Sequence, residues 1–530
     1  MSDTKIQTEE FGAIRRAIWP IHNYEIKKFL PLGLIMFCFL FVYTLLRDTK
    51  DTLMVTSAVT GAGVISFLKL WCVTPSAILF VLYYSKLTNI LSKEAVLYAV
   101  VTPFLVFFAL FAFVINPNFA LLHPSPEFVA FLHEAYPNFS GFIDIFALWS
   151  YSLFYVLSEI WGSAMVSLMF WQFANQTVRM SESKRFYGLF VVIGNAALIF
   201  SGQAVKFCSE GIKLFHSGTA AEVWQFSLYL LMSAVVIMGL LSMYIYRWMH
   251  LHVLTDVKYY DEAKAAPKKK KQKPGLKESV KIILSSPELG LIAMLIMAYG
   301  VTINLVEVQW KQQLNIYFAG NKGAYNGFMG DYSTWTGVMT ILFSLLIGSR
   351  ILRVLSWFKA AIITPVFIFI GGAAFFLFIL SADWQVIKPF VTNLLSVLAT
   401  NPVTAAAFLG AGIVLTSKAV KYSLFDPTKE MAYIPLDEEL KTKGKAAVDV
   451  IGGRAGKAGG AFVQSMLIML MATKDVVTIA PICFATFGVV CLIWFVSVKL
   501  LSKRVDSALA KKKDLEKPGD DNISAVLAAT

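Results

Sequence analysis

Along this chain the apolar positions come in blocks of about 20 residues with few charges, and short polar connections separate the blocks. A helix rises 1.5 Å per residue, so a block of this length crosses a hydrocarbon core roughly 30 Å thick with its backbone hydrogen bonds closed internally. The pattern predicts twelve such spans, at about 29–46, 64–84, 95–115, 145–173, 186–207, 226–246, 289–310, 333–355, 360–380, 397–424, 446–473 and 476–500. The fifth, tenth and eleventh are rich in Gly, Ala and polar residues. That composition suits helices packed among others around a cavity better than helices facing lipid.

A hydrated stretch containing APKKKKQKPG (266–275) divides the spans six from six. The expected organisation is a segment 1–28, a first bundle 29–246, a basic linker 247–288, a second bundle 289–500 and a tail 501–530. The halves match weakly at offsets near 260 residues. LRDTKDTL (46–53) lies on EVQWKQQL (307–314), placing Lys50 opposite Lys311, and VIGNAA (192–197) lies on VIGGRA (450–455). These matches predict an all-α membrane protein of two pseudo-symmetric six-helix bundles, a transporter plan in which parallel repeats face each other across a central cavity.

Composition narrows the class. The chain is 57% hydrophobic and 15% charged, against about 25% charged for soluble domains, which excludes a disordered chain and argues against a soluble globule. Net charge is +13, from 47 Lys and Arg against 34 Asp and Glu. In a membrane protein such an excess belongs first to cytoplasmic loops rather than to nucleic-acid binding. Arg15, Arg16, Lys27 and Lys28 precede the first span, Lys86 and Lys93 follow the second, and Arg179, Lys184 and Arg185 follow the fourth. Residues 116–144 hold no Lys or Arg. Both termini are therefore expected in the cytoplasm. Residues 1–22 lack the apolar core of a secretory signal. The five cysteines and six histidines show no metal-ligand spacing, and no metal or cofactor is expected.

Charges inside the spans carry the functional signal, since each costs roughly 2.5–3.5 kcal/mol at the bilayer centre. Glu159 stands midway along the fourth span and Lys69 lies in the second. Glu307 and Lys311 close the seventh, and Asp449, Arg454 and Lys457 crowd the eleventh. Arg47, Asp48, Lys50 and Asp51 end the first, with an apolar LMV beyond them that extends the helix. Any one of these could merely neutralise a neighbour and fix the packing. As a set the cations outnumber the carboxylates, and a cavity with surplus positive charge accommodates an anion such as a nucleoside polyphosphate. GGRAGKAGG (452–460) is not a phosphate loop, because Ile451 and Ala458 stand where that motif needs Gly and Ser or Thr. Gly452, Gly456 and Gly460 instead form a four-residue stripe for close helix packing. Arg454 and Lys457 then share a helix face.

LRDTKDTL (46–53), SEIWGSAMVSLMFWQFANQ (158–176), YGVTINLVEVQWK (299–311) and FDPTKEMAYIPLDEELKTKGKAAVDVIGGRAGKAGG (425–460) resemble the ATP/ADP translocases of obligate intracellular bacteria and plastids, over nearly the whole chain. The resemblance implies a major-facilitator-like fold and exchange of host ATP for bacterial ADP across the inner membrane, without chemical change to the nucleotide. It implies functional roles for the lysine of RDTKD, Lys50; the glutamate before IWGS, Glu159; the glutamate of NLVE, Glu307; and the lysine of FDPTKE, Lys429. With Lys69, Lys311, Arg454 and Lys457 from the charge pattern, and Arg47 and Asn304 from the same segments, these make the candidate substrate-binding set. The expected partners are ATP and ADP, phosphate being left open, and the lipid bilayer around a monomer. The alternative is a proton-coupled importer of several nucleoside triphosphates. A membrane phosphotransferase lacks a carboxylate cluster for Mg²⁺, and a purely structural scaffold would have no use for the polar fifth and eleventh spans.

Overall fold

A computed structural model describes residues 19–256, 286–344, 354–381, 384–397, 399–434 and 444–516, with a few single residues between them. Most of the 247–288 linker and the end of the tail lie outside the described residues. Twelve long helices carry the architecture: α1 (Asn23–Val55), α2 (Val64–Ile90), α3 (Lys93–Ile115), α4 (Trp149–Thr177), α5 (Met180–Ser209), α6 (Ala220–His252), α7 (Pro287–Tyr317), α8 (Lys322–Leu342), α9 (Trp357–Leu380), α10 (Pro402–Ala432), α11 (Lys445–Leu470) and α12 (Ala480–Glu516). Among the described residues, ten of these contain stretches long and apolar enough to cross a membrane. The other two, α8 and α11, are diluted by Gly, Thr and charges and pack between other helices.

The boundaries follow local chemistry. Ser92, Thr219, Ser286, Asn321 and Asn401 each cap the helix that follows by accepting from a backbone N–H in its first turn. Pro287 and Pro402 occupy first helical positions, where no N–H is needed. Several boundaries depart from the predicted spans, and at two of them the local chemistry shows why. The eighth starts at Lys322 rather than near 333, because the Asn321 cap sets it and buried Asn326, Ser333 and Thr336 face other helices rather than lipid. The fourth begins at Trp149, since the chain breaks at Leu148 after a short helix, Ser140–Ala147.

In the first half, α1 packs against α4, α5 and α6. In the second, α7 packs against α10, α11 and α12. The glycine stripe of α11 serves the second arrangement. A Cβ on Gly460 would lie 2.7 Å from that of Asn304 on α7, and one on Gly300 would lie 2.8 Å from the backbone of Gly456.

The face where α1 begins is called the near face and the face where it ends the far face. Among the described residues, the hydrogen bonds and ion pairs that cross from the first six helices to the last six lie between the centre and the far face. There α5 and α8 approach so closely that a Cβ on Gly330 would fall 2.5 Å from the Gly202 carbonyl oxygen. Gln203 donates to Thr334 at 2.9 Å and Lys206 pairs with Asp331 at 2.8 Å. Beside this seam Asn138 donates to the Met469 carbonyl at 2.7 Å, and the Ala62 amide donates to Gln312 at 2.9 Å.

Candidate functional site

Three of the long helices widen into a π-turn next to a charged group. Leu68–Val73 on α2 contains Lys69, Gly162–Phe170 on α4 follows Glu159, and Lys421–Phe425 on α10 follows Lys418. A π-turn re-aims the side chains around it and is common where a helix lines a functional site.

At the centre six charges of alternating sign form one continuous chain. Glu159 Oε1 on α4 lies 3.0 Å from Lys50 Nζ on α1, which lies 2.8 Å from Asp51 Oδ1. The other oxygen of Asp51 is 2.9 Å from Lys311 Nζ on α7. Lys311 reaches Glu307 one turn back at 3.0 Å, and the second oxygen of Glu307 is 3.3 Å from Lys69 Nζ on α2. The side chains of Lys50, Asp51 and Lys311 are each 2% exposed, whereas Glu159 is 25%, Glu307 23% and Lys69 17% exposed. The chain is therefore sealed in its middle and open at its ends. It passes between the halves twice, at Asp51–Lys311 and at Lys69–Glu307.

Burial makes the pairing necessary. A lone charge here would bear a desolvation penalty of several kcal/mol, and each group has an opposite partner that offsets it. Lys50 gains further from the face of Tyr155, 3.8 Å below its Nζ. A second, smaller cluster stands beside the chain. Arg47 donates to Asp48 at 3.0 Å and to Ser333 on α8 at 2.6 Å, and Ser333 donates to the other Asp48 oxygen at 2.6 Å.

The structure brings Lys50, Lys69, Glu159, Glu307 and Lys311 together in the chain, with Arg47 in the adjoining cluster. Lys457 is exposed on α11, within electrostatic range of Glu159. Asn304 is buried against Gly460 and accepts from Gln464 at 3.3 Å, in the α7–α11 contact. Lys429 stands near the other end of α10, 3.2 Å from Glu430, which also pairs with Lys445 at 2.5 Å. The side chain of Arg454 lies outside the described residues.

The expected surplus of cations needs correcting for the chain itself. Asp51 is a full member, which makes three cations and three carboxylates. Asp51 stands in the sequence among the charges that end the first span but outside the candidate binding set, because one carboxylate beside Lys50 reads as its local neutraliser. The match of Lys50 with Lys311 across the repeat was the signal that could have included the carboxylate between them. Net positive charge enters instead from outside the chain, at Lys457 and at Lys418, a residue of the tenth span that the charge pattern alone did not single out. Neither has a carboxylate at ion-pair distance among the described residues.

Comparison with known proteins follows the same lines. The family model described as TLC ATP/ADP transporter matches residues 4–505. The chain is similar to "ADP,ATP carrier protein 1" of Chlamydia muridarum, 44% identical over 512 residues, covering 96% of this chain and 94% of that protein. It is similar to the protein of the same name from Rickettsia bellii, 44% identical over 503 residues and covering 95% and 98%. "ADP,ATP carrier protein 2, chloroplastic" of Arabidopsis thaliana is 44% identical over 459 residues, 86% of this chain and 71% of that one. Among solved structures, a bacterial homologue of the iron transporter ferroportin in its inward-facing state superposes with a TM-score of 0.53 at 13% identity, covering 90% of this chain and all of that one. A D-xylose–proton symporter gives 0.52 at 13% identity, covering 90% and 97%. At such identity the two structures share the fold alone.

Proposed function

The chain belongs to the TLC ATP/ADP transporter family, and from that premise we propose that it exchanges ATP for ADP across a bacterial inner membrane, with both termini in the cytoplasm. The near face is then cytoplasmic and the far face periplasmic. Units 29–246 and 289–500 rock about one central site, which opens to each side in turn. A single chain is the transport unit, and no bond in the nucleotide is made or broken.

The alternating chain of six charges is the observation that carries this reading. Without substrate, Asp51 joins Lys50 of one half to Lys311 of the other. A polyphosphate supplies the oxygens that the carboxylates supply in the empty protein. Lys50 and Lys311 pass from Asp51, Glu159 and Glu307 to phosphate, helped by Lys69 and Lys457 at the open ends. Charge-assisted hydrogen bonds of this type are strong where water is excluded. Arg47 and Arg454 add positive potential, Asn304 fixes α7 against α11, and Lys429 with Glu430 and Lys445 belongs to the cytoplasmic gate. A ligand shifts the balance of inward and outward states only through differential binding to them. Exchange of carboxylate for phosphate at Lys50 and Lys311 is such a difference, because it loosens the Asp51 link only when nucleotide is present.

The test is counterflow in proteoliposomes. Uptake of labelled ATP is expected to require ADP or ATP inside and to proceed without a pH gradient. Uptake into empty vesicles that depends on an imposed pH gradient would replace exchange with proton coupling.

A further inference from the structure

The two halves repeat, and the repeat breaks at one charge. Lys50 on α1 corresponds to Lys311 on α7 at an offset of 261 residues. At 259 residues Glu159 on α4 corresponds to Lys418 on α10. Backbone geometry supports the second match independently, because the π-turn begins three residues after each, at Gly162 and at Lys421. In the first half, position 159 neutralises the α1 lysine at 3.0 Å. In the second half, the equivalent position carries a second cation.

Lys418 sits midway along α10, partly buried. Its Nζ lies over the ring of Tyr332 on α8 at 4.9 Å, and Arg47, Glu307 and Lys311 lie within its electrostatic range. Among the described residues the tyrosine face is its polar contact, and no carboxylate stands at ion-pair distance. The neighbouring Lys421, by contrast, is paired with Asp426 at 2.9 Å. A cation held in a membrane-embedded site with Arg47 and Lys311 nearby pays an electrostatic cost in the empty protein that an anion removes.

We propose that Lys418 is a further substrate-binding residue, which with Lys311 holds the polyphosphate end of the nucleotide on the second half. The phosphate takes the place there that Glu159 fills on the first half, and the site is thereby asymmetric. Carboxylate and lysine face each other on α4 and α1, whereas α10 and α7 present two lysines, of which Lys311 is held by Asp51 and Glu307 until phosphate takes their place. This inference rests on the exchange reading and adds one residue and a direction to it.

The experiment compares Lys418→Gln and Lys418→Arg with the parent in ADP-loaded proteoliposomes, and measures thermal midpoints in detergent with and without ATP. Lys418→Gln is expected to raise the KM for ATP roughly ten- to a hundredfold, the range for losing a hydrogen bond to a charged group. Lys418→Arg should stay within a few-fold of the parent. The nucleotide-free midpoint of Lys418→Gln should equal or exceed that of the parent, because like-charge repulsion is relieved, while its gain on adding ATP shrinks. A KM unchanged in Lys418→Gln would overturn the proposal. So would a lowered nucleotide-free midpoint in both variants with equal loss of transport, which marks a packing role. Failure of the parent itself to exchange would sink the exchange reading instead.

Discussion

Two regions join the halves of this molecule by different means. The far-face seam between α5 and α8 is built from small residues and backbone, with Gly202, Gly330 and Gly337 letting the helices touch. The central chain is built from charge, and its buried link is one carboxylate shared by lysines of both halves. The seam holds an exposed ion pair, Lys206–Asp331, but its close approach is backbone against backbone, which a nucleotide does not replace, whereas each link of the chain is an interaction that phosphate oxygens can also make. Closure and coupling are thus assigned to different chemistry. In the proposed exchange cycle the seam sets how tightly the far face shuts, and the chain makes opening conditional on cargo.

The largest effect on exchange should come from breaking the seam. A side chain on Gly330 meets the Gly202 carbonyl at 2.5 Å and the Lys206 amide at 2.8 Å, both backbone atoms that cannot turn aside. Gly330→Leu is expected to abolish exchange and to lower the thermal midpoint whether or not ATP is present, since such overpacking costs about 1–3 kcal/mol or more. An unchanged midpoint would mean that the seam is looser than its geometry.

Breaking the chain should cost activity in a different way. Asp51→Asn leaves the shape of the side chain and removes the shared charge between Lys50 and Lys311. Loss of one partner from a buried ionic cluster costs about 3–5 kcal/mol. Exchange should fall at least tenfold, and efflux into nucleotide-free buffer should rise relative to exchange, because the empty protein is no longer latched. Full exchange with no added efflux would remove Asp51 from the coupling.

The smallest effect sharpens the comparison from outside the spans. On the far-face helix Ser140–Ala147, burial lifts the Asp144 carboxyl above its ordinary range, while His133, with Nε2 at 3.0 Å, draws it back. A raised folded-state value means that the folded protein holds this proton more tightly than the unfolded chain does. The stability it lends is therefore complete below the unfolded value near pH 4 and is lost as pH rises through the folded value. Asp144→Asn should raise the thermal midpoint slightly at pH 7, and the gain should fade toward pH 4. A gain that is constant with pH would show that the carboxyl titrates normally.

Much of the site was legible because a charge within an apolar run stands out wherever the fold takes it. Lys50, Lys69, Glu159, Glu307 and Lys311 could be named from position alone, and the offset between the halves already paired Lys50 with Lys311. Asp51 was harder, since the sequence shows that the helix continues past it but not that its second oxygen reaches Lys311 of the other half. Lys418 was legible only through the repeat, once Glu159 was carried across at 259 residues, two short of the offset that pairs Lys50 with Lys311. The α5–α8 seam left little trace, because glycines 202 and 330 are separated by more than a hundred residues and neither shows its partner in the sequence.

The order of apolar blocks by itself determined that this chain crosses a membrane many times, because a bilayer accepts only helices of sufficient length with their hydrogen bonds closed. It also determined which charges had to find partners, since an isolated ion there is too costly. Tertiary structure alone decided who those partners are. Which lysine meets which carboxylate depends on how α1, α2, α4 and α7 converge, and distances near 3 Å between residues up to 260 positions apart are set by packing.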